Sequence, residues 1–248
     1  MHSNLYSTLY RTPWFQRALD LIAPCRCSLC GLPSGRALEL CLACEGELPW
    51  LTHCCRQCGL PLPGTGSLCG RCLAKPPGFD ACIAACAYTE PVSGWVHAGK
   101  YHGDFPSLRL LAYLLRRALS DRDIPEQLPD LVLPMPLHWR RRWQRGFNQA
   151  RELSDELLRH PDFSALTIDA LLAGRIRATA TQRELGVAER QRNLLGAFRV
   201  RRPLFGESVA IVDDVLTTGA SAHTLALALK AAGAGHVQVW CCARTPAA

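Results

Sequence analysis

The chain has 248 residues, 48% apolar and 20% charged, a globular balance that excludes a disordered or fibrous protein. This length supports one large domain or two small ones, with a core that needs no covalent staples. The formal net charge of +7 favours a polyanionic or phosphorylated partner without identifying one.

No run of about 18 apolar residues exists, so no membrane-spanning helix is expected. The N-terminal segment through Pro24 has neither an uninterrupted apolar core nor a small-residue cleavage site. A secretory signal is therefore not expected, and the cytoplasm is the expected compartment. Within this segment Trp14, Phe15, Ala18, Leu19 and Ile22 have helical spacing, with Thr12 as N-cap and Pro13 at the first helical position. The reading is a packing helix, with an interfacial membrane role as the alternative.

Of the 14 cysteines, ten fall between Cys25 and Cys72. Without an export signal, clustered cysteines point to metal before disulfides. Cys27 and Cys30 are followed after ten residues by Cys41 and Cys44, and Cys55 and Cys58 likewise by Cys69 and Cys72. Each CxxC lets two thiolates converge on one tetrahedral ion, and two such knuckles close an S₄ shell. Gly31 and Gly59 follow two of the pairs, where a tight turn aims backbone amides at sulfur. Two structural Zn²⁺ ions are expected, in what looks like a local duplication. Sequential pairing is the simple reading and interleaved pairing the alternative. Cys25, Cys54 and His53 read as bystanders that could substitute for a ligand.

Lys75-Pro76-Pro77-Gly78 forms a stiff connector. The expected domains are residues 1–78, an N-terminal helix plus a double zinc-ribbon module, and residues 79–248. After the connector the pattern alternates. Residues 81–88 read as a strand, 107–119 as a helix, 131–133 as a short buried strand stopped by Pro134, and 148–159 as a helix. Residues 209–212 read as a buried strand, 222–232 as a helix stopped by Gly233, and 237–242 as a further buried strand. Strands alternating with helices imply parallel βαβ units and an α/β fold. Cys82, Cys86, Cys241 and Cys242 lie in these strands and read as small buried apolar residues.

Between Pro136 and Arg202 there are 14 Lys/Arg against 7 Asp/Glu. Arg140, Arg141, Arg142 and Arg145 are close enough to follow a phosphate backbone. Trp139 and Trp143, four apart, share a face on a helix and could stack bases. A solvated basic face with core tryptophans is the alternative.

The segment Val209–Ser221 carries the strongest chemical signal. A buried strand ends in Asp213 and Asp214, and Thr217-Thr218-Gly219-Ala220-Ser221 leads into a helix. Helix-start amides and the hydroxyls of Thr217, Thr218 and Ser221 can surround a phosphate, and Gly219 permits close backbone approach. The carboxylates can accept hydrogen bonds from sugar hydroxyls, or approach Mg²⁺ directly or through water. The bland alternative is a helix N-cap at Ser221 with solvated acids nearby.

This segment resembles the phosphoribosyl-pyrophosphate (PRPP) motif of type I phosphoribosyltransferases. The resemblance implies that Asp213 and Asp214 hold the ribose hydroxyls and that residues 217–221 cradle the 5′-phosphate. Taken with the CxxC units, Pro134-Met135-Pro136, Arg145-Gly-Phe-Asn-Gln149, Thr179-x-x-Gln182 and Arg190-x-x-Asn193, the chain resembles the ComF family of competence-associated proteins, GntX-like members included. That implies a type I phosphoribosyltransferase-like parallel sheet flanked by helices, behind a cysteine-rich zinc-ribbon module. It places Pro134, Met135, Pro136 and Lys100 with PRPP, and segment 175–193 as a hood over the site. Asp213, Asp214 and Arg177 are the expected catalytic set, with Lys100, Arg145 and Arg177 as cations for departing pyrophosphate. The implied role is DNA uptake in natural transformation, or use of DNA as nutrient, with single-stranded DNA and DNA-uptake machinery as partners. An active phosphoribosyltransferase of nucleotide metabolism and a non-catalytic PRPP-sensing regulator stand as alternatives.

Overall fold

The computed structural model describes residues 25–101, 103–121, 128–176 and 196–246. The expected helix at 14–22, Arg177 and nearly all of the expected hood lie outside the described residues. The chain divides into two compact units, residues 1–48 and 49–248.

In the smaller unit a knuckle closes at Cys27, where Cys27 N donates to the Leu32 carbonyl and Gly31 N to the Cys27 carbonyl. Helix α1 (Leu42–Gly46) follows, and its N-cap, Cys41, accepts from Cys44 N through sulfur. The buried Glu45 carboxylate is paired with Arg36, which satisfies an otherwise costly buried charge. The larger unit opens with the same knuckle again. Cys55 N donates to the Leu60 carbonyl, Gly59 N to the Cys55 carbonyl, and α2 (Gly70–Ala74) follows with Cys69 as N-cap. The duplication visible in the cysteine spacing is therefore a duplication of backbone geometry. Gly31 and Gly59 sit at φ +74 and +70, the left-handed turn that an L side chain resists.

The rest of the larger unit is an α/β layer. In chain order it holds β1 (Ala81–Ala87), α3 (Val92–Tyr101), α4 (Phe105–Asp121), β2 (Leu131–Pro134), α5 (Trp139–Arg145), α6 (Gln149–Leu158) and β3 (Thr167–Ile168). There follow β4 (Ala173–Arg175), β5 (Phe198–Val200), β6 (Ser208–Leu216), α7 (Ala220–Ala231) and β7 (His236–Arg244). The sheet order is β1-β7-β6-β2-β3, with every neighbouring pair parallel. Parallel strands covered on both faces read as continuous apolar runs, as β6 and β7 do. Cys82, Cys86, Cys241 and Cys242 are buried within these strands. Asp80 pins the start of β1, accepting from Val237 N at 2.9 Å and pairing with Lys230 at 2.6 Å.

Three features differ from the sequence expectation. Helix α3 forms although Val92, Gly94, Val96 and Gly99 are weak helix formers. Packing decides, because α3 and α4 approach so closely that a Cβ at Gly99 would stand 2.8 Å from the Leu108 side chain of α4 and force it to shift. Strands β4 and β5 pair as an antiparallel hairpin, each too short to show periodicity. Strand β6 continues past Val212 through both carboxylates to Leu216, because β7 offers ladder partners as far as Arg244.

Candidate functional site

The acid pair lies inside the C-terminal end of β6. Successive strand residues ordinarily face opposite sides, but at this strand end the Asp213 and Asp214 carboxyls stay close enough to interact with each other, and both act on Lys100. Asp214 is buried, and its Oδ2 sits 2.8 Å from Nζ of Lys100, the penultimate residue of α3. Burial works against charge on Lys100, but contact with Asp214, helped by Asp213, outweighs both burial and repulsion from Arg145. The Lys100 pKa is therefore raised. Asp213 is pushed the other way from an ordinary carboxylate, up to about 8, first by desolvation and then by the Asp214 charge, with Lys100 in partial opposition.

Beyond Leu216 the chain forms the loop Thr217-Thr218-Gly219. Gly219 is the N-cap of α7 at φ +75 and makes no side-chain cap bond, so the cap stands two positions before Ser221, where the alternative reading had put it. The loop is open: Thr218 is exposed, while Thr217, Gly219, Ala220 and Ser221 are half-buried. The Thr218 hydroxyl accepts from Ala220 N at 3.3 Å. A Cβ on Gly219 would meet nothing closer than 3.9 Å. Its glycine requirement comes from the left-handed backbone rather than from crowding in the free protein.

Pro134, Met135 and Pro136 are buried beside β6. Met135 N donates to the Val212 carbonyl at 2.8 Å, and the Met135 carbonyl accepts from Asn148 Nδ2 at 3.2 Å. Asn148 also caps α6 through Ala150 N. Its neighbour Gln149 is buried and donates to the Lys100 carbonyl at 3.0 Å, while its Oε1 accepts from Arg145 Nη1 at 3.3 Å. The Arg-Gly-Phe-Asn-Gln motif thus builds a polar chain, Arg145 to Gln149 to Lys100 to Asp214. Sequence reading found the motif but gave Asn148 and Gln149 no role. Arg145, expected both among the DNA-facing arginines and as a cation for departing pyrophosphate, is half-buried and stacks 5.2 Å from the Tyr101 ring centroid.

Helix α5 lies between these parts. His138 caps it by accepting from Arg140 N, and Gly146 stops it in the left-handed conformation. Trp139 and Trp143 are 63% and 87% exposed, so they are surface residues and not core. Arg140 lies 5.3 Å over the Trp139 ring, and Arg140 and Arg142 are exposed.

The eight expected cysteine ligands form two groups, Cys27/Cys30/Cys41/Cys44 and Cys55/Cys58/Cys69/Cys72, each with all sulfurs within 4.8 Å. Pairing is therefore sequential. The Cys30–Cys41 and Cys58–Cys69 sulfurs are 3.9 and 3.6 Å apart. Zn–S bonds of about 2.3 Å in a tetrahedron call for roughly that spacing. Both quartets fit zinc, with all four positions filled by sulfur. In each quartet one thiol is already biased toward thiolate. Desolvation opposes this, but converging backbone amides lower Cys27 to about 6 and Cys55 to about 7.

The chain matches the family model of the double zinc ribbon domain over residues 18–73. It is 41% identical over 160 residues to the DNA utilization protein YhgH of Salmonella typhimurium, covering 64% of this chain and 69% of that one. The Escherichia coli K12 protein of the same name is 39% identical over the same shares. Competence protein F of Haemophilus influenzae is 36% identical, over 63% of this chain and 69% of that one. Among solved structures, the allosteric regulatory enzyme of purine biosynthesis aligns at a TM-score of 0.34 and 18% identity, over 54% of this chain and 25% of that one.

Proposed function

The chain belongs to the ComF family of competence-associated proteins, and from that premise we propose that it binds PRPP with Mg²⁺ and serves the uptake or use of DNA. The observation that carries this reading is the Lys100–Asp214–Asp213 cluster at the mouth of a glycine-led helix. The loop 217–221 takes the 5′-phosphate on helix-start amides and hydroxyls. Asp213 and Asp214 face the ribose. Lys100 neutralises Asp214, which leaves Asp213 as the carboxylate for Mg²⁺, a hard cation suited to oxygen donors. Magnesium bound with PRPP would supply charge neutralisation at the pyrophosphate. Buried Pro134–Pro136 and the Asn148 tether hold the opposite wall in place.

The relatives are named for DNA utilization and competence, and the exposed Trp139–Trp143 face with Arg140 and Arg142 suits single-stranded DNA. A second reading, turnover of PRPP, is supported by the two cations Lys100 and Arg145 beside the acid pair. Calorimetry with PRPP and Mg²⁺ tests the site. The double variant Asp213→Asn, Asp214→Asn should lose affinity while staying folded, and undiminished affinity would refute the assignment. Pyrophosphate release, with and without nucleic acid, separates binding from turnover.

A further inference from the structure

Arg244 ends β7 and is 6% exposed. A guanidinium keeps its charge, so burial is tolerated only when its N–H donors are met. Backbone carbonyls from three places meet the Nε and Nη1 donors. Nε donates to the Cys58 carbonyl at 2.9 Å. Nη1 donates to the carbonyls of Leu216 at 2.8 Å, Thr217, and Thr245 at 3.0 Å. Cys58 belongs to the second cysteine quartet, and Leu216 and Thr217 are where β6 gives way to the phosphate loop. The packing around this strut is close. A Cβ on Gly59 would stand 3.0 Å from the Cys82 sulfur and 3.8 Å from Arg244 Cδ.

We infer that Arg244 is a positioning residue that couples metal in the second cysteine quartet to phosphate binding at the loop after β6. The inference rests on the reading of that loop as a 5′-phosphate site. Metal fixes Cys58, and with it the carbonyl that Nε requires. When the knuckle opens, the buried charge loses that acceptor and must shift, and the carbonyls of Leu216 and Thr217 shift with it. Coupling of this kind is reciprocal, so a bound phosphate must also hold the metal more tightly.

Ribose 5-phosphate is the probe, on the full zinc-loaded chain, with the equilibrium partition of zinc into a chromogenic chelator as readout. Saturating probe should tighten the hold on one of the two zinc ions by at least about fivefold, the lower end of ordinary coupling. Arg244→Lys keeps the charge but loses the fork. It should bind the probe about tenfold more weakly and show no tightening of zinc. In Cys30→Ser, which spoils the first quartet, the tightening of the remaining zinc should persist. Calorimetry on the wild type separates the failures. If neither ribose 5-phosphate nor PRPP binds, the phosphate site falls and the coupling falls with it. If the probe binds and zinc affinity is unchanged, or both ions are held more tightly alike, the coupling alone is overturned. Where Arg244→Lys fails to fold, the wild-type partition curve decides by the same criterion.

Discussion

Desolvation at the end of β6, with Asp214 beside it, pushes the Asp213 carboxyl up to about 8. The free protein therefore holds a proton there near neutral pH. The native state binds more protons than the unfolded chain between the ordinary carboxylate range and that value. This group's contribution to stability then falls as pH rises through the window. Asp213→Asn should flatten that fall, and melting curves across the window check it. Ligand binding runs the other way. PRPP with Mg²⁺ needs the carboxylate, so its affinity should rise with pH, by up to about tenfold per unit, and level off above the Asp213 pKa. Calorimetry in buffers of different ionisation enthalpy should register the released proton, and Asp213→Asn should abolish that release. Gly219 poses a separate question. Its φ of +75 strains any L residue, and no neighbour crowds a Cβ. Gly219→Ala should cost roughly 1–2 kcal/mol of stability, read as a lower Tm.

Helix α5 concentrates charge and aromatic surface in one short element, held by a histidine cap and a glycine stop. Because Trp139 and Trp143 are exposed, replacing either with Ala should leave stability within about 0.5 kcal/mol. Each change should still cost about 1–3 kcal/mol of single-stranded DNA binding. Loss of stability without loss of binding would return them to a structural role. Changing Arg140, Arg141 and Arg142 to Ala should flatten the slope of log K against log[salt] by about 0.7 per lost phosphate contact. An unchanged slope in a folded triple variant would remove α5 as the DNA track. Arg145 belongs to the other side of this helix's work. Its bond to Gln149 places it in the chain that holds Lys100, so Arg145→Ala should weaken PRPP binding as well.

The ribbons and the sheet were open to sequence reading for different reasons. Cysteine spacing is a direct imprint of tetrahedral geometry, and buried parallel strands leave apolar runs bounded by punctuation. The Asp213–Ser221 loop showed as well, since its chemistry is contiguous in the chain. Arg244 did not. Its partner Cys58 lies 186 residues away, and one arginine after an apolar strand gives no local signal. Gln149 was hidden in the same way, as its acceptor on Lys100 lies 49 residues distant. Helix α3 was missed because packing against α4 overrides its poor propensity.

These two sources of order, metal and apolar core, should come apart under chelation. In the smaller unit the buried apolar residues from Cys25 onward are Cys27, Leu40 and Leu48, too few to hold a fold without metal. Metal binding there is folding free energy. The sheet instead rests on a continuous core that includes Val209, Ile211, Leu225, Leu229, Val237 and Val239. Protein purified without added metal should contain two zinc ions per chain, and elemental analysis giving well below one would overturn both quartets. Cys30→Ser should lower the content to one. Hydrogen exchange on that variant should show protection lost across 25–48 and kept in β6 and β7. If protection in β6 and β7 collapses together with that of the first knuckle, the sheet does not stand on its own core and the separation fails.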